Sequence, residues 1–431
     1  MSKQITNAAA SQTRRTKAIQ SIKNFLSDNI VTIMFAILCY VGFKLSGLSL
    51  MFIVNDLVNR VGRNGVLILA LIIPVLAGMG LNFAIVLGAM AGQVAVIIVI
   101  HYGWSGIIGF LAAMAISTPV ALLFGWLTGH LLNRTKGQEM ITSMITGFFA
   151  NGVYQLVFLV LVGTVIPMVN PEIMLPSGIG IKNTLDIGRI KYAVDNLSRV
   201  TFPTAVLAGS VGILLYLGYR FWKSRIDGRV TLTVMSVLTP LIAAGVMAFW
   251  AITTMNSKSM LNMVRVPVVT FLFIGAVCLF ITFIAGTKLG QDFRTIGQDL
   301  HIAQVSGINV NKTRIIAITM SMVLAAWGQL FFLQNVGALN TFAAHEQVGR
   351  FAIAALLIGG ASVSKATIGQ ALLGAVLFHT LFVVSPAAGR QLLGDAQLGE
   401  FFRAFVAYGV IALSLGMHAW QKAAESKRKN R

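Results

Sequence analysis

Phe83-Ala84-Ile85-Val86-Leu87-Gly88-Ala89-Met90-Ala91-Gly92-Gln93-Val94-Ala95-Val96-Ile97-Ile98-Val99-Ile100 is a run of eighteen residues without a charged side chain. A helix of that length and apolarity crosses the hydrocarbon of a bilayer, which needs about 20 residues rising about 1.5 Å each. The run has many companions. Working outward, apolar segments fall at 64–80 and 30–48 on one side, and at 105–132, 140–166, 204–220, 231–252, 267–285 and 314–333 on the other. An interrupted segment covers 350–385, and a last span covers 401–419. The pattern predicts an all-α polytopic membrane protein. It has about ten transmembrane helices plus a re-entrant or broken helix segment.

Composition agrees. The chain has 431 residues, 56% hydrophobic and 11% charged, and a mean hydropathy of +0.81. A soluble domain carries roughly 25% charged residues. The balance excludes a cytosolic enzyme, a disordered regulator and a secreted disulfide scaffold. Cys39 and Cys278 lie in apolar runs, away from any CxxC, so they carry no redox or metal signal.

The net charge is +20. In a soluble protein that would point to nucleic acid. Here it points to membrane orientation and anionic lipid, with no nucleic-acid partner. With the N-terminus inside, the inner stretches are 1–28, 133–139, 220–230, 286–314 and 420–431. They hold twenty of the 33 Lys and Arg. Asp and Glu divide about evenly, so the bias lies in the basic residues, as the positive-inside rule requires. Both termini are expected in the cytoplasm. The expected division is a basic tail at 1–28, a transmembrane domain at 29–420 and a basic tail at 421–431. Two long loops stand out, an outer one at 167–203 and an inner one at 286–314.

Glycines pair with polar residues in two places inside apolar surroundings. One is Ala77-Gly78-Met79-Gly80-Leu81-Asn82, with Gly88 to Gln93 after it. The other is Gly359-Gly360-Ala361-Ser362-Val363-Ser364-Lys365, with Gly369-Gln370 after it. Gly-interrupted segments in matching halves mark transport sites. Small residues also serve close helix packing, and both readings stay open. The expected path residues are Asn82, Gln93, Asn151, Gln155, Asn335, Gly359, Gly360 and Ser362. Gln329 and Gln334 are further amides in the spans, and His379 stands alone in an apolar run.

No Asp or Glu falls in the middle of a span. Glu139, Glu346 and Glu400 lie at boundaries. That argues against a proton-driven pump, while sodium coupling through backbone carbonyls stays open. There is no GxxxxGK[ST], HExxH or GxSxG, and no Cys/His cluster with metal spacing. A nucleotide, a metal and an intramembrane active site therefore have no motif here.

The inner loop 286–314 is amphipathic. Leu300, Ile302, Ala303, Val305 and Ile308 are expected on one side of a short helix, with Gln298, Asp299 and Gln304 exposed and Gly307 as its C-cap. Such a helix docks in a partner's groove or rests on the bilayer.

This loop resembles that of the permease subunits of bacterial ATP-binding cassette importers, in the branched-chain amino acid, ribose and nucleoside permease family. Their loop runs G-E-N-P-x-A-A-x-x-x-G-I-x-V after an F-G-x-x-x-R-A-x segment. Gly290, Arg294, Gly297, Ala303, Gly307, Ile308 and Val310 match it. Gln298, Asp299, Leu300 and Ile302 depart from it. Ala355 to Ser362 is similar to the family's A-x-x-I-G-G-x-S. Glu139 to Met144 resembles E-V-I-x-T-L, and Gly92-Gln93 resembles part of E-G-Q.

The resemblance implies a transport subunit, not an enzyme, in a bacterial inner membrane. It implies two cytoplasmic ATPase subunits gripping 286–314 through Gly290, Arg294, Gly297, Asp299, Ala303, Gly307 and Ile308. It also implies a second permease subunit, same or sister, and an external substrate-binding protein docking on 167–203 and 334–349. This chain would bind no cofactor, and ATP and Mg would be used by the partners. A nucleoside or simple sugar is the expected solute. The alternatives are a branched-chain amino acid importer permease and an ion-gradient-driven secondary transporter.

Overall fold

The computed structural model describes residues 29–227, 234–395, 397–405, 408–409, 411–413 and 416. The two basic tails, 1–28 and 421–431, lie outside these. Among the described residues eight helical stretches are long and apolar enough to cross a membrane, and two shorter apolar helices accompany them. The helices are α1 (Ile30–Ser46), α2 (Leu50–Ala70), α3 (Ile72–Leu76), α4 (Ile85–His101), α5 (Gly106–Arg134), α6 (Glu139–Leu156), α7 (Phe202–Asp227), α8 (Val234–Asn256) and α9 (Val268–Gly286). Then come α10 (Lys288–Gln298), α11 (Leu300–Val305), α12 (Val310–Val336), α13 (Ala344–Ile358) and α14 (Ile368–Leu393). Residues 397–405 are helical again. The molecule is all-α and polytopic.

The second span is longer than its apolar run. Expected at 64–80, it begins at Leu50 and ends at Leu76 across α2 and α3. The polar residues that hid its first half bond one turn away on the same helix. Arg60 Nε meets Asp56 Oδ2 at 2.8 Å. Asn59 Nδ2 donates to Asn55 O, and Asn64 Nδ2 donates to Arg60 O, each at 2.9 Å. Such i, i+4 pairs offer polar atoms a partner inside the helix.

Helix α12 forms the centre, packed by α5, α4 and α2. Small residues let the backbones approach. A Cβ added at Gly88 or Gly92 of α4 would lie 2.6 Å from Met322 O or 2.7 Å from Ala326 O. One added at Gly125 of α5 would lie 2.6 Å from Thr319 Cα. Ser321 Oγ donates to Ala70 O at 2.8 Å. Without a hydrophobic drive inside lipid, such close packing holds helices together. Gly88 to Gln93 therefore belongs to an unbroken helix, and of the two readings of these glycines the packing one applies.

At one end of the bundle, outer segments are knitted by two short antiparallel ladders. β1 (Thr184–Asp186) pairs with β4 (Ala338–Asn340), and β2 (Arg199–Thr201) with β3 (Arg265–Pro267). The long loop 167–203 and the segment after α12 thus form one platform. At the opposite end lie the breaks 77–84 and 359–367 and the loop 287–309. The basic bias marks that end as the inner face.

The interrupted segment is a hairpin. α13 descends from the platform to Ile358, whose carbonyl accepts from Thr32 Oγ1 at 3.0 Å. α14 climbs back beside α1, with Cys39 Sγ on Leu377 O at 3.2 Å and Gly47 against Gln391. It enters and leaves from the platform end of the bundle. Its turn reaches the level of the first turn of α1, so the hairpin spans nearly full depth.

Candidate translocation and coupling site

The inner loop is built from two short helices hinged at one residue. Asp299 has extended backbone, and its Oδ1 accepts from the N–H of His301 at 2.7 Å and of Ile302 at 3.0 Å. These bonds cap α11 and hold the Asp299 carboxyl below its ordinary value. Thr287 caps α10 by accepting from Gly290 N–H. Gly290 lies directly on the backbone of Ile284 and Ala285. Arg294 donates through Nε to Gly290 O at 3.3 Å and through a terminal nitrogen to Ala285 O. Gly307, at φ +78°, ends α11, and Ile308 N–H returns to Ala303 O at 3.1 Å. Ala303 is buried with Ile296 and Val310, and Leu300 and Ile308 pack beside them.

The expected single apolar side is divided. Ile302 is 58% exposed and Val305 76%. A six-residue helix advances about 100° per residue. Positions 300 and 303 therefore turn inward, and 302 and 305 point away from the bundle.

The base of this loop sits on the first break. A Cβ at Gly78 would lie 2.7 Å from Gly297 Cα, and one at Gly297 would lie 2.6 Å from Leu76 O. Gly80 faces Met140 and Val363, and Phe83 N–H donates to Ser143 Oγ at 3.2 Å. Loop, first break, start of α6 and hairpin turn thus meet at the inner face. Beside them the buried Arg314 of α12, 1% exposed, pairs with Glu139 of α6.

The second break is held equally closely. Gly359 faces Gln370 O and Gly374 faces Ala355 O, each too near for a side chain. Gly360, at φ +89°, accepts at its carbonyl from Gln370 Nε2 at 2.7 Å. Thr367 and Gln370 form a capping box at the start of α14. Ser362 Oγ accepts from Lys365 N–H at 3.1 Å.

The expected path residues separate into groups. Gly359, Gly360 and Ser362 form the hairpin turn. Asn82 lies in the first break, its Oδ1 accepting from Ala84 N–H at 3.1 Å. Asn335 is elsewhere, at the outer end of α12, donating to the buried Asp195 Oδ2 at 2.8 Å. Gln155 is half-buried on α6.

Gln93 and Asn151 are brought together by a residue the sequence reading did not single out. His345 Nδ1 lies 2.9 Å from Gln93 Oε1, and its Nε2 lies 2.9 Å from Asn151 Oδ1. Asn151 Nδ2 donates to Glu346 Oε1. The other oxygen, Glu346 Oε2, meets Arg350 at 3.4 Å. Gln93, His345, Asn151, Glu346 and Arg350 form one polar chain from the core of α4 to the surface of α13. Glu346 and Arg350 line a cavity of about 400 Å³ with Phe83, Met144, Phe148 and Tyr408. Cavities of about 630 Å³ beside α4, α5 and α6 and of about 500 Å³ beside α5, α9 and α12 have no charged side chain in their walls. Among the described residues no group of three His, Cys, Asp or Glu could hold a metal.

Residues 56–414 match the family described as the permease component of the branched-chain amino acid transport system, and the chain belongs to that family. It is a multi-pass inner-membrane protein. It is 26% identical over 214 residues to the xylose transport system permease protein XylH of Escherichia coli, covering 47% of this chain and 52% of that one. It is 29% identical over 165 residues to the probable ABC transporter permease protein YphD of the same organism, covering 38% and 48%. It is 37% identical over 93 residues to the autoinducer 2 import system permease protein LsrC of Klebsiella pneumoniae, covering 21% and 26%. The chain spans about half the length of the first two relatives. No solved structure matches it.

Proposed function

We propose that this chain is the permease subunit of an ATP-binding cassette importer for a simple sugar. Two cytoplasmic ATPases, which would themselves use ATP and Mg, would grip the loop 286–314. A second permease subunit, same or sister, would complete the path. An external binding protein would deliver solute to the platform made by 167–203 and the segment after α12. The similarity to permeases named for xylose and for autoinducer 2 favours a sugar over a nucleoside or a branched-chain amino acid.

The observation that carries this reading is the inner loop. It turns Ile302 and Val305 away from the bundle while its base at Gly297 rests on Leu76 and Gly78. Outward apolar side chains on a capped helix suit a partner's groove. Backbone contact at the base suits transmission of the partner's movement to the spans. The chain Gln93–His345–Asn151–Glu346–Arg350 supplies polar groups at membrane depth, where an ionisable residue marks a substrate path.

The test is purification of the tagged chain in mild detergent, followed by solute uptake in vesicles. An ATPase subunit that co-purifies, and is lost with Ile302→Asp/Val305→Asp, upholds the reading. A chain that purifies alone and moves sugar in ATP-free vesicles along a sodium or proton gradient makes it a secondary transporter.

A further inference from the structure

We propose that Glu346 and Arg350 bind the vicinal hydroxyls of a neutral monosaccharide as it crosses the membrane, with His345 positioning them. This rests on the permease reading above, and it names the groups that meet the solute.

The first argument is depth. Ile358, at the foot of α13, lies beside Thr32 in the first turn of α1. Arg350 is eight residues higher, about 12 Å along the helix, near the middle of a hydrocarbon layer about 30 Å thick. Its side chain is 40% exposed there and that of Glu346 24%. Charges at that depth are strongly disfavoured in lipid and face a bundle interior or a watery cavity. The cavity of about 400 Å³ at this pair falls in the range of small-molecule sites, which begins near 300 Å³.

The second argument is chemistry. Glu346 and Arg350 already neutralise each other. A neutral hydroxyl can donate to the carboxylate and accept from the guanidinium without separating the charges. Two adjacent hydroxyls can engage both groups, and charge-assisted hydrogen bonds are the strong ones. Phe83, Phe148 and Tyr408 in the same wall offer apolar faces to the C–H side of a sugar ring. A zwitterionic amino acid would have to pull the ion pair apart and leave its own apolar side chain beside the charges.

The third argument is positioning. Glu346 Oε1 accepts from Asn151, Asn151 is held by His345, and His345 is held by Gln93. The carboxylate is therefore fixed from behind by the half-buried Asn151 and, through it, the buried His345 and Gln93, with its other oxygen toward Arg350.

The experiment uses the full chain in lipid nanodiscs with Cys39 and Cys278 replaced by Ala and a single Met144→Cys in the cavity wall. A membrane-impermeant thiol reagent reports access. D-Xylose, D-ribose and D-galactose are the probes, with L-leucine as the competing chemistry. The expected result is modification of the new cysteine, slowed about tenfold by a monosaccharide at ten times its dissociation constant. Glu346→Gln and Arg350→Gln should remove this protection, each variant being compared with its own sugar-free rate. His345→Leu should weaken it, and His345→Gln, which can still hydrogen-bond, should restore part of it. Modification that none of the three sugars slows, protection that survives in both Glu346→Gln and Arg350→Gln, or protection by leucine instead would overturn the proposal while leaving the path intact. A cysteine that never reacts in folded protein would overturn the path reading and this proposal together.

Discussion

His345 Nε2 and Asn151 Oδ1 stand 2.9 Å apart although 194 residues separate them in the chain. Gln93 Oε1 lies beside the other ring nitrogen of this fully buried imidazole, and a neutral ring donates from one nitrogen only. Losing one partner strands the other inside the protein, and a buried unsatisfied polar group costs about 1–3 kcal/mol. His345→Leu should thus lower the thermal stability of the purified protein more than Gln155→Leu, one turn beyond Asn151 on α6. Equal melting temperatures for the two variants would show that the chain does not hold α4, α6 and α13 together.

Gly307→Val tests the inner loop. The position has open space around it, so sterics with neighbours are not at issue. Its φ is +78°, and a β-branched residue there is strained by about 1–3 kcal/mol. The spans should fold normally while α11 loses its terminus. Unchanged monodispersity with lost solute-stimulated ATP hydrolysis in the reconstituted complex is the expected result. Full coupling would show that the loop's shape is not what the partner reads.

Asp299 gives a prediction about pH. Its carboxyl is held low by the N–H groups of Ile302 and His301. A carboxylate with a depressed folded pKa contributes stability above its unfolded value, near 3.9. That contribution is lost as pH falls through the folded value. Between pH 6 and 8 it is therefore constant, and attachment of a partner to α11 should not vary with pH through this residue. Asp299→Asn, which keeps an accepting oxygen, should retain the partner in co-purification, and Asp299→Ala should weaken it. A neutral-range pH dependence that disappears in Asp299→Asn would contradict the assignment.

The pair Arg314–Glu139 gives a prediction about partners. Removing one member of a buried ion pair typically destabilises by about 3–5 kcal/mol, whereas replacing both with apolar residues is often neutral. Arg314→Met alone should lower the melting temperature, and the double variant Arg314→Met/Glu139→Leu should recover most of it. A double variant less stable than the single would mean the charges serve something beyond each other.

Gly359→Ala tests the hairpin turn. The new methyl would overlap the carbonyl of Gln370, which is backbone and cannot rotate away. Overpacking of this kind costs about 1–3 kcal/mol. Gly369→Ala, where nothing lies within 4 Å, is the control. Reduced stability in the first and none in the second is expected from melting curves in detergent.

The membrane architecture was legible because runs such as 83–100 and 267–285 carry their own evidence of burial in lipid. The stop at Gly307 was legible because a helix terminus is local, whereas the cap at Asp299 was read only as an exposed side chain. What stayed hidden was long-range. Glu346, expected at a span boundary, lies with His345 at the depth of Gln93 and Asn151, and nothing in their sequence neighbours announces partners on α4 and α6. The first half of α2 was hidden differently. Asp56, Asn59, Arg60 and Asn64 look like loop residues until each is seen bonding one turn away. Gly88 and Gly92 read equally well as a break or as a seam, and only the position of α12 decides between them. Ile302 and Val305 were placed on the wrong side because a helix of six residues has too few turns for its apolar stripe to be read by spacing.

Gly297 lies on Leu76 and Gly78 with only backbone between them. Side chains at a contact act as springs that swing between rotamers and absorb displacement. Two glycines and a carbonyl have no such slack. A shift of α10 by a fraction of an ångström therefore arrives at the foot of α3 undamped, and the first place along the chain where it can be spent is the bend from Ala77 to Ala84.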